Sequence, residues 1–337
     1  MHRARKSLVT VLGLGALLLA GGGAQGEVLK IATVKSTAPG ALFIADAKGY
    51  FAAEKIEPQF IYFDSPGPVT LAVVSGSADI ASTGVSAQLY TLAAHGAVKI
   101  IAGQAHEAKG YQINAFILSN AAAAAGLKRV AQLGGHSVAI SLIGSPVHYA
   151  AAQVALKHGV ALSSLRVLAL QSNTNILSAV IGGTADTGVI PATVAAPALA
   201  KGELKILTWV GDEAPWQSSA VVAAPRNLDA HTDLFKRFMI ALKRGLRDYH
   251  AAFSAPDGTR RDGPTAPEML AIMAKYLNQP PERLRVAIPY VDPEARLDFA
   301  DMRRQLQWFE DQTMLKEKVT LDQVIDRRFA KPQAGRE

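Results

Sequence analysis

The chain has 337 residues, 49% of them hydrophobic. It is longer than one hydrophobic core usually grows and apolar enough to fill two, so two compact units are expected. It contains no cysteine, which excludes disulfides, thiolate catalysis and Cys-liganded metal sites. The formal charge of +7 falls to +4 without Arg3, Arg5 and Lys6, and what remains is intermixed, as in the run from Lys243 to Asp248. Such a pattern reads as solvated helix faces and lacks the clustered Lys/Arg with interleaved aromatics of a nucleic-acid surface.

The N-terminus carries basic residues, then an apolar run over 8–20, then small residues to Gly26. This pattern is a secretory signal peptide over 1–26, with small residues at Ala24 and Gly26 placing the mature start at Glu27. A membrane anchor is the rival reading, but the run is short of the roughly 20 apolar residues that span a bilayer. Without a cysteine, attachment as a lipoprotein is impossible. The expected location is therefore the periplasm.

Beyond the leader, residues 28–34 form a β-branched strand, followed by a loop over 35–40 and an apolar helix over 41–55. A strand over 59–63, a loop over 64–67 and a short helix over 68–75 come next. Gly76-Ser77-Ala78-Asp79 then turns into a strand that ends by Thr83, a helix reaching Gly96, and a strand over 98–102. Alternating strands and helices point to a parallel, doubly wound sheet. A further strand over 111–118 runs into Asn120 and five alanines, where the chain is expected to cross to a second unit.

The second unit repeats the first. Gly183-Thr184-Ala185-Asp186 echoes the earlier turn 107 residues on, and the same offset superposes Pro39 on Pro146, Ser65 on Ser172 and Val73 on Val180. Several matches at one offset indicate duplication of a whole unit. Strands follow at Ser137–Ile140 and 166–170, with a helix over 146–157 between them. The β-rich run 218–224 then brings the chain back, near 213–217, to the first unit. Helical periodicity over 228–253, 266–277, 300–315 and 321–329 supplies helices expected to cover that unit. The division is thus 27–118 for the first lobe, 119–213 for the second, and 214–337 for the return.

In open α/β sheets, ligands sit beyond the carboxyl ends of the strands, where helix starts offer free backbone N–H groups. That rule selects the loops 35–39, 64–67 and 83–86 in one lobe and 141–148, 171–175 and 190–193 in the other. The residues chosen as ligand-binding are Ser36, Thr37, Ser65, Thr83, Gly84, Ser86, Gly144, Ser145, His148, Gln171, Pro191 and Trp216. Each hydroxyl could equally cap its helix. His148 could donate to a ligand or lie on the solvent face of its helix, and Tyr111 and Trp216, near the crossings, could stack on a ligand or pack the core. Asp79 and Asp186, at strand entrances far from those loops, read as turn-fixing groups.

Catalytic signatures are missing: Gly84-Val85-Ser86-Ala87-Gln88 lacks the last glycine of a nucleophile elbow, and no His-Glu-x-x-His or Gly-Lys-Ser/Thr loop occurs. The histidines lack metal-site spacing, and no cofactor is expected.

Ala47-Lys48-Gly49-Tyr50-Phe51 with Glu54 and Ile56, Gly76 to Ile80, Val130 to Gly135 ahead of Val138-Ala139-Ile140, and Gly183 to Asp186 together carry a resemblance. Over about 28–253 the chain resembles the periplasmic substrate-binding proteins of nitrate/sulfonate/taurine-type ABC importers, including the NMT1/THI5-like pyrimidine-precursor binders. It departs at Gln132, where the family often has Asp, and in its alanine run.

The resemblance implies a two-lobed α/β fold of the type II periplasmic binding class, each lobe a mostly parallel sheet flanked by helices, with a two-strand hinge. It also implies a monomer without enzymatic activity that presents its ligand to the membrane subunits of an ABC permease. With only Lys35, Asp64 and His148 charged or chargeable in the loops, the expected ligand is a small organic anion held by neutral donors. Two alternatives stay open: an enzyme of this fold, such as a dehydratase or pyrimidine synthase, and a sensor that touches a membrane receptor.

Overall fold

The computed structural model describes residues 26–333; all of the expected leader except Gly26 lies outside them. The strands are β1 (Glu27–Val34), β2 (Ile56–Phe63), β3 (Ile80–Gly84), β4 (Lys99–Gly103), β5 (Ala105–Glu107), β6 (Asn114–Ser119) and β7 (Ser137–Ile140). They continue with β8 (Arg166–Ala169), β9 (Thr187–Pro191), β10 (Leu204–Trp209), β11 (Trp216–Gln217), β12 (Ser219–Ala223) and β13 (Tyr290–Val291). The helices of eight residues or more are α1 (Gly40–Ala47), α2 (Pro66–Ser75), α3 (Ala87–Ala94), α4 (Pro146–Lys157) and α5 (Asn173–Ile181). After them come α6 (Ala192–Ala200), α7 (Thr232–Phe253), α8 (Ala266–Leu277) and α9 (Phe299–Asp311).

Two five-stranded sheets share one plan. The first runs β2-β1-β3-β12-β4 and the second, read from its other edge, β8-β7-β9-β6-β10. Shifting the first by the repeat offset turns β1 into β7, β2 into β8, β3 into β9 and β4 into β10, so the duplication seen in the sequence is a duplication of sheet topology. In each sheet one strand is antiparallel to both neighbours, β12 in the first and β6 in the second. Each of these arrives from the other half of the chain.

That exchange corrects two expectations. The strand expected at 111–118 to complete the first unit is β6, and it belongs to the second sheet. The chain therefore crosses before Asn114 and not at Asn120 and the alanines, and the boundary drawn between 118 and 119 moves upstream. The helix expected over 41–55 is also broken. Gly49 takes a left-handed backbone conformation, φ 71°, and ends α1 before a separate turn at Tyr50–Ala53, which turns the chain into β2.

The two crossings lie side by side. β5 and β11 pair antiparallel, Trp216 opposite Glu107 and Gln217 opposite His106, and β13 adds a third strand. A Cβ on Gly211 would stand 2.7 Å from the carbonyl oxygens of both Ala108 and Tyr111, so the close approach of the crossings demands glycine there. Asp212 ties the crossings further by accepting from the Gly110 backbone N–H and the Gln112 side-chain amide at 2.8 Å each.

The amphipathic helix α7 packs on α1 and buries Phe235, Phe238, Leu242 and Leu246 at helical spacing. α8 adds to this layer over the first sheet. The last long helix does more than cover the first unit, the role expected of the C-terminal helices. In α9, Phe309 meets the Tyr90 ring of α3 at 6.0 Å on one side and the Tyr149 ring of α4 at 5.8 Å on the other. One buried cluster accordingly contains Val73 and Tyr90 of the first half, Ile140 and Tyr149 of the second, and Trp308 of α9.

Candidate ligand-binding site

Between the two sheets, at the carboxyl ends of β1, β3, β7 and β9, lies a cavity of about 330 Å³. Its wall is built in repeat-related pairs, 107 residues apart: Val34 with Ser141, Pro39 with Pro146, Asp64 with Gln171, Ser65 with Ser172, Pro66 with Asn173, and Gly84 with Pro191. The exchanged strands and the residue just before each supply the floor through Ile113, Asn114, Ser218 and Ser219. Asn114 lies opposite Pro191 in the ladder, and Ser219 opposite Gly84. The same topology folded twice thus places like loops on opposite sides of one space.

Five helices start at this wall. Pro39 precedes α1, Ser65 precedes α2, Ser172 precedes α5, Pro191 precedes α6, and Pro146 opens α4. Each helix start carries unpaired backbone N–H groups and the positive end of its dipole, and so favours negative charge. The charged side chains on the wall are Lys35 and Asp64, both exposed at the rim, and Lys35 rests over the Tyr62 ring at 5.5 Å. Val34, Phe63, Ile113, Val147, Val194 and Trp216 supply apolar surface.

Hydroxyl groups near the cavity differ in what they bond, and on the wall itself those of Ser172, Ser218 and Ser219 are already bonded to Asn175 and Ala105 backbone groups. Ser86 and Ser145 accept from the backbone N–H groups of Leu89 and His148 at 3.1 and 3.3 Å, as helix caps. Thr83 donates to the Pro66 carbonyl at 3.1 Å and touches the Thr70 hydroxyl, and Thr37 donates to the Ala287 carbonyl at 2.5 Å. None of these four lines the cavity. Ser65 starts α2 without capping it, and its hydroxyl, like those of Ser36, Ser82 and Ser141, has no hydrogen bond within the described protein.

Of the residues selected from the sequence, Ser36, Ser65, Gly84, Gln171, Pro191 and Trp216 stand on the wall. Thr37, Thr83, Ser86, Gly144, Ser145 and His148 do not. Gly144 and His148 instead serve the seam between the halves. The Ala87 N–H donates to the Gly144 carbonyl at 3.0 Å, while the Gly144 N–H donates to His148 Nδ1 at 3.1 Å. The His148 ring meets Trp308 edge-on and is half-buried, off the cavity wall, and burial lowers its pKa to about 4. Tyr111, the other aromatic weighed near the crossings, is buried and donates to Ser254 at 2.8 Å, off the wall.

Asp79 and Asp186 hold neighbouring strands. The Asp79 carboxylate accepts from the Lys30 N–H at 2.9 Å and the Asp186 carboxylate from the Ser137 N–H at 2.8 Å, again 107 residues apart on both sides. Burial pushes the Asp186 carboxyl up, but the Ser137 amide and hydroxyl with His136 outweigh it and leave it below the usual range.

The sequence reading missed the floor, behind which a fully buried carboxylate stands. Glu107 is 0% exposed. Its Oε1 accepts from the Ile113 and Asn114 backbone N–H groups at 3.0 and 2.7 Å, and its Oε2 from Asn114 Nδ2 at 3.1 Å and Trp216 Nε1 at 2.8 Å. Burial raises its pKa and the four donors oppose that rise. Among the described residues no group of three or more His, Asp or Glu is placed to hold a metal ion, and no helix is long and apolar enough to cross a membrane.

A family model described as NMT1/THI5 like matches residues 37–258. No curated protein sequence matches the chain. Among solved structures, the periplasmic aliphatic sulphonate binding protein SsuA from Escherichia coli is 18% identical with a TM-score of 0.69, over 92% of this chain and 95% of that one. The alkanesulfonate-binding protein SsuA from Xanthomonas axonopodis pv. citri, bound to MOPS, is 16% identical with a TM-score of 0.69, over 92% and 99%. The ligand binding component of an ABC-type import system from Staphylococcus aureus, with zinc bound, is 14% identical with a TM-score of 0.70, over 89% and 96%. At these identities the likeness is one of fold.

Proposed function

The chain belongs to the NMT1/THI5-like family, and from that premise we propose that it captures a small organic anion, a sulfonate or carboxylate, in the cavity between its sheets. One observation carries the reading: five helix starts and a set of unpaired hydroxyls converge on a cavity whose charged wall residues, Lys35 and Asp64, stand at the rim. Helix ends and neutral donors bind an anion without burying a countercharge. The apolar wall suits an organic body behind that head.

In this reading the protein is the periplasmic, monomeric solute-binding component of an ABC importer and delivers its ligand to the permease. The two halves close on the solute across the paired crossings, and no bond in it changes. Purified protein should gain roughly 2.7 kcal/mol of stability at about 100-fold excess of a binding anion over its Kd, seen as a raised melting temperature. Mass spectrometry of the bound solute should recover it unchanged. Stabilisation by cations alone, or chemical conversion of the solute, would overturn the proposal.

A further inference from the structure

All four groups that approach the Glu107 carboxylate are N–H donors, one of them the side-chain amide of Asn114. A carboxylate can only accept, so it fixes which way that amide faces: nitrogen toward Glu107, carbonyl oxygen away from it. Asn114 is 6% exposed, lies on the cavity wall, and its Oδ1 accepts no hydrogen bond from any described residue. The same carboxylate holds the Trp216 indole N–H at 2.8 Å, so Trp216 offers the cavity apolar ring surface and no donor.

Most other polar wall groups are adaptable. The hydroxyls of Ser36, Ser65, Ser82 and Ser141 donate or accept by rotating, and the amides of Gln171 and Asn173 have no partner to fix them. The Ser218 hydroxyl spends its one O–H on the Ala105 carbonyl at 3.0 Å and is a weaker acceptor than an amide carbonyl. Asn114 Oδ1 is therefore the buried amide carbonyl on this wall whose direction is set by a neighbour. A ligand that left it unmatched would strand a desolvated carbonyl.

We infer that Asn114 is a specificity-determining residue and Glu107 its positioning residue, and that the solute carries an N–H or O–H donor besides its anionic group. The inference rests on the anion reading of the same cavity and narrows it, from any small organic anion to one bearing a neutral hydrogen-bond donor. Glu107 reaches the solute only through the amide it orients.

Matched pairs test this by calorimetric Kd on the intact protein: 4-methylbenzoate against 4-aminobenzoate, and toluene-4-sulfonate against 4-aminobenzenesulfonate, each pair alike in shape. The amino member should bind roughly tenfold more tightly. Asn114→Leu should retain anion binding and lose that preference. Glu107→Gln turns an amide N–H toward Asn114 and so rotates the Asn114 oxygen inward, and it should abolish or reverse the preference, measured with 4-formylbenzoate as an acceptor-bearing probe.

Equal affinities within both pairs in the wild-type protein would overturn the inference while leaving anion capture standing. Failure of all four anions to bind would remove the anion reading and this inference with it. A Glu107→Gln protein with the wild-type preference would overturn the positioning role. The wild-type comparison decides the specificity claim even if a variant does not fold.

Discussion

Whether a hydroxyl at a helix start serves a ligand or its own backbone depends on its remaining bonds, and neighbours in this chain fall on both sides. Replacing Ser65 by alanine removes a hydroxyl with no partner in the protein. Anion affinity should fall about two- to tenfold, the worth of one hydrogen bond, with the melting temperature of the free protein unchanged. Replacing Thr83 by alanine removes the bond to the Pro66 carbonyl from a buried site. Stability should fall by about 1 kcal/mol with little change in Kd, as denaturant melts and calorimetry would show. Residue type and loop position could select Ser65 and Thr83 alike, because both are small hydroxyls at the carboxyl end of the first sheet. What separates them is a partner 17 residues away in sequence. Asn114 stayed hidden for a related reason: it reads as one polar residue starting an apolar strand, and its role depends on a glutamate whose burial no local pattern announces.

At the scale of elements, the repeat was the most informative signal in the sequence. It located both Gly-x-Ala-Asp turns, and the same offset, carried to every loop, yields Ser141 from Val34 and Asn173 from Pro66, two wall residues that residue chemistry alone did not select. The placing of β6 was not legible, since an apolar run of six residues suits either sheet and pairing partners far along the chain decide between them. Where the halves meet, Gly84 closes the end of β3 against α4: a Cβ there would stand 2.7 Å from the Pro146 ring, which cannot fold away. Gly84→Ala should therefore wedge the halves apart, at an overpacking cost of about 1–3 kcal/mol. Ligand affinity should also drop roughly tenfold, about 1.4 kcal/mol, when calorimetry of ligand binding is set beside chemical denaturation of the free protein.

Across the whole molecule, the halves share one buried cluster through α9 and a seam that passes from Ala87 through Gly144 to His148. The seam makes stability depend on pH. His148 has its pKa lowered to about 4 by burial, whereas an unfolded histidine takes up its proton near 6.5. Between these values the unfolded chain binds a proton that the folded protein refuses. The stability contributed by neutral His148 is thus full above pH 6.5 and is lost as the pH falls toward 4. His148→Gln should flatten that stretch of the stability profile, measured by denaturant melts from pH 7 to 4. Two units, a mostly parallel sheet in each and a return of the chain were all legible from alternation and duplication. The bridging by α9 was not, because its amphipathic stripe states that one face is buried and not against what.

The exchanged strands also have a consequence in time. β3 and β4 lie on either side of β12, which starts at Ser219, more than a hundred residues after β4 ends. During synthesis the first sheet must wait with an open slot between two finished strands, both offering unpaired backbone to any passing edge. Contacts that far apart in sequence fold slowly. The architecture that faces two like sets of loops across one cavity therefore leaves the first sheet incomplete until its return strand is in place.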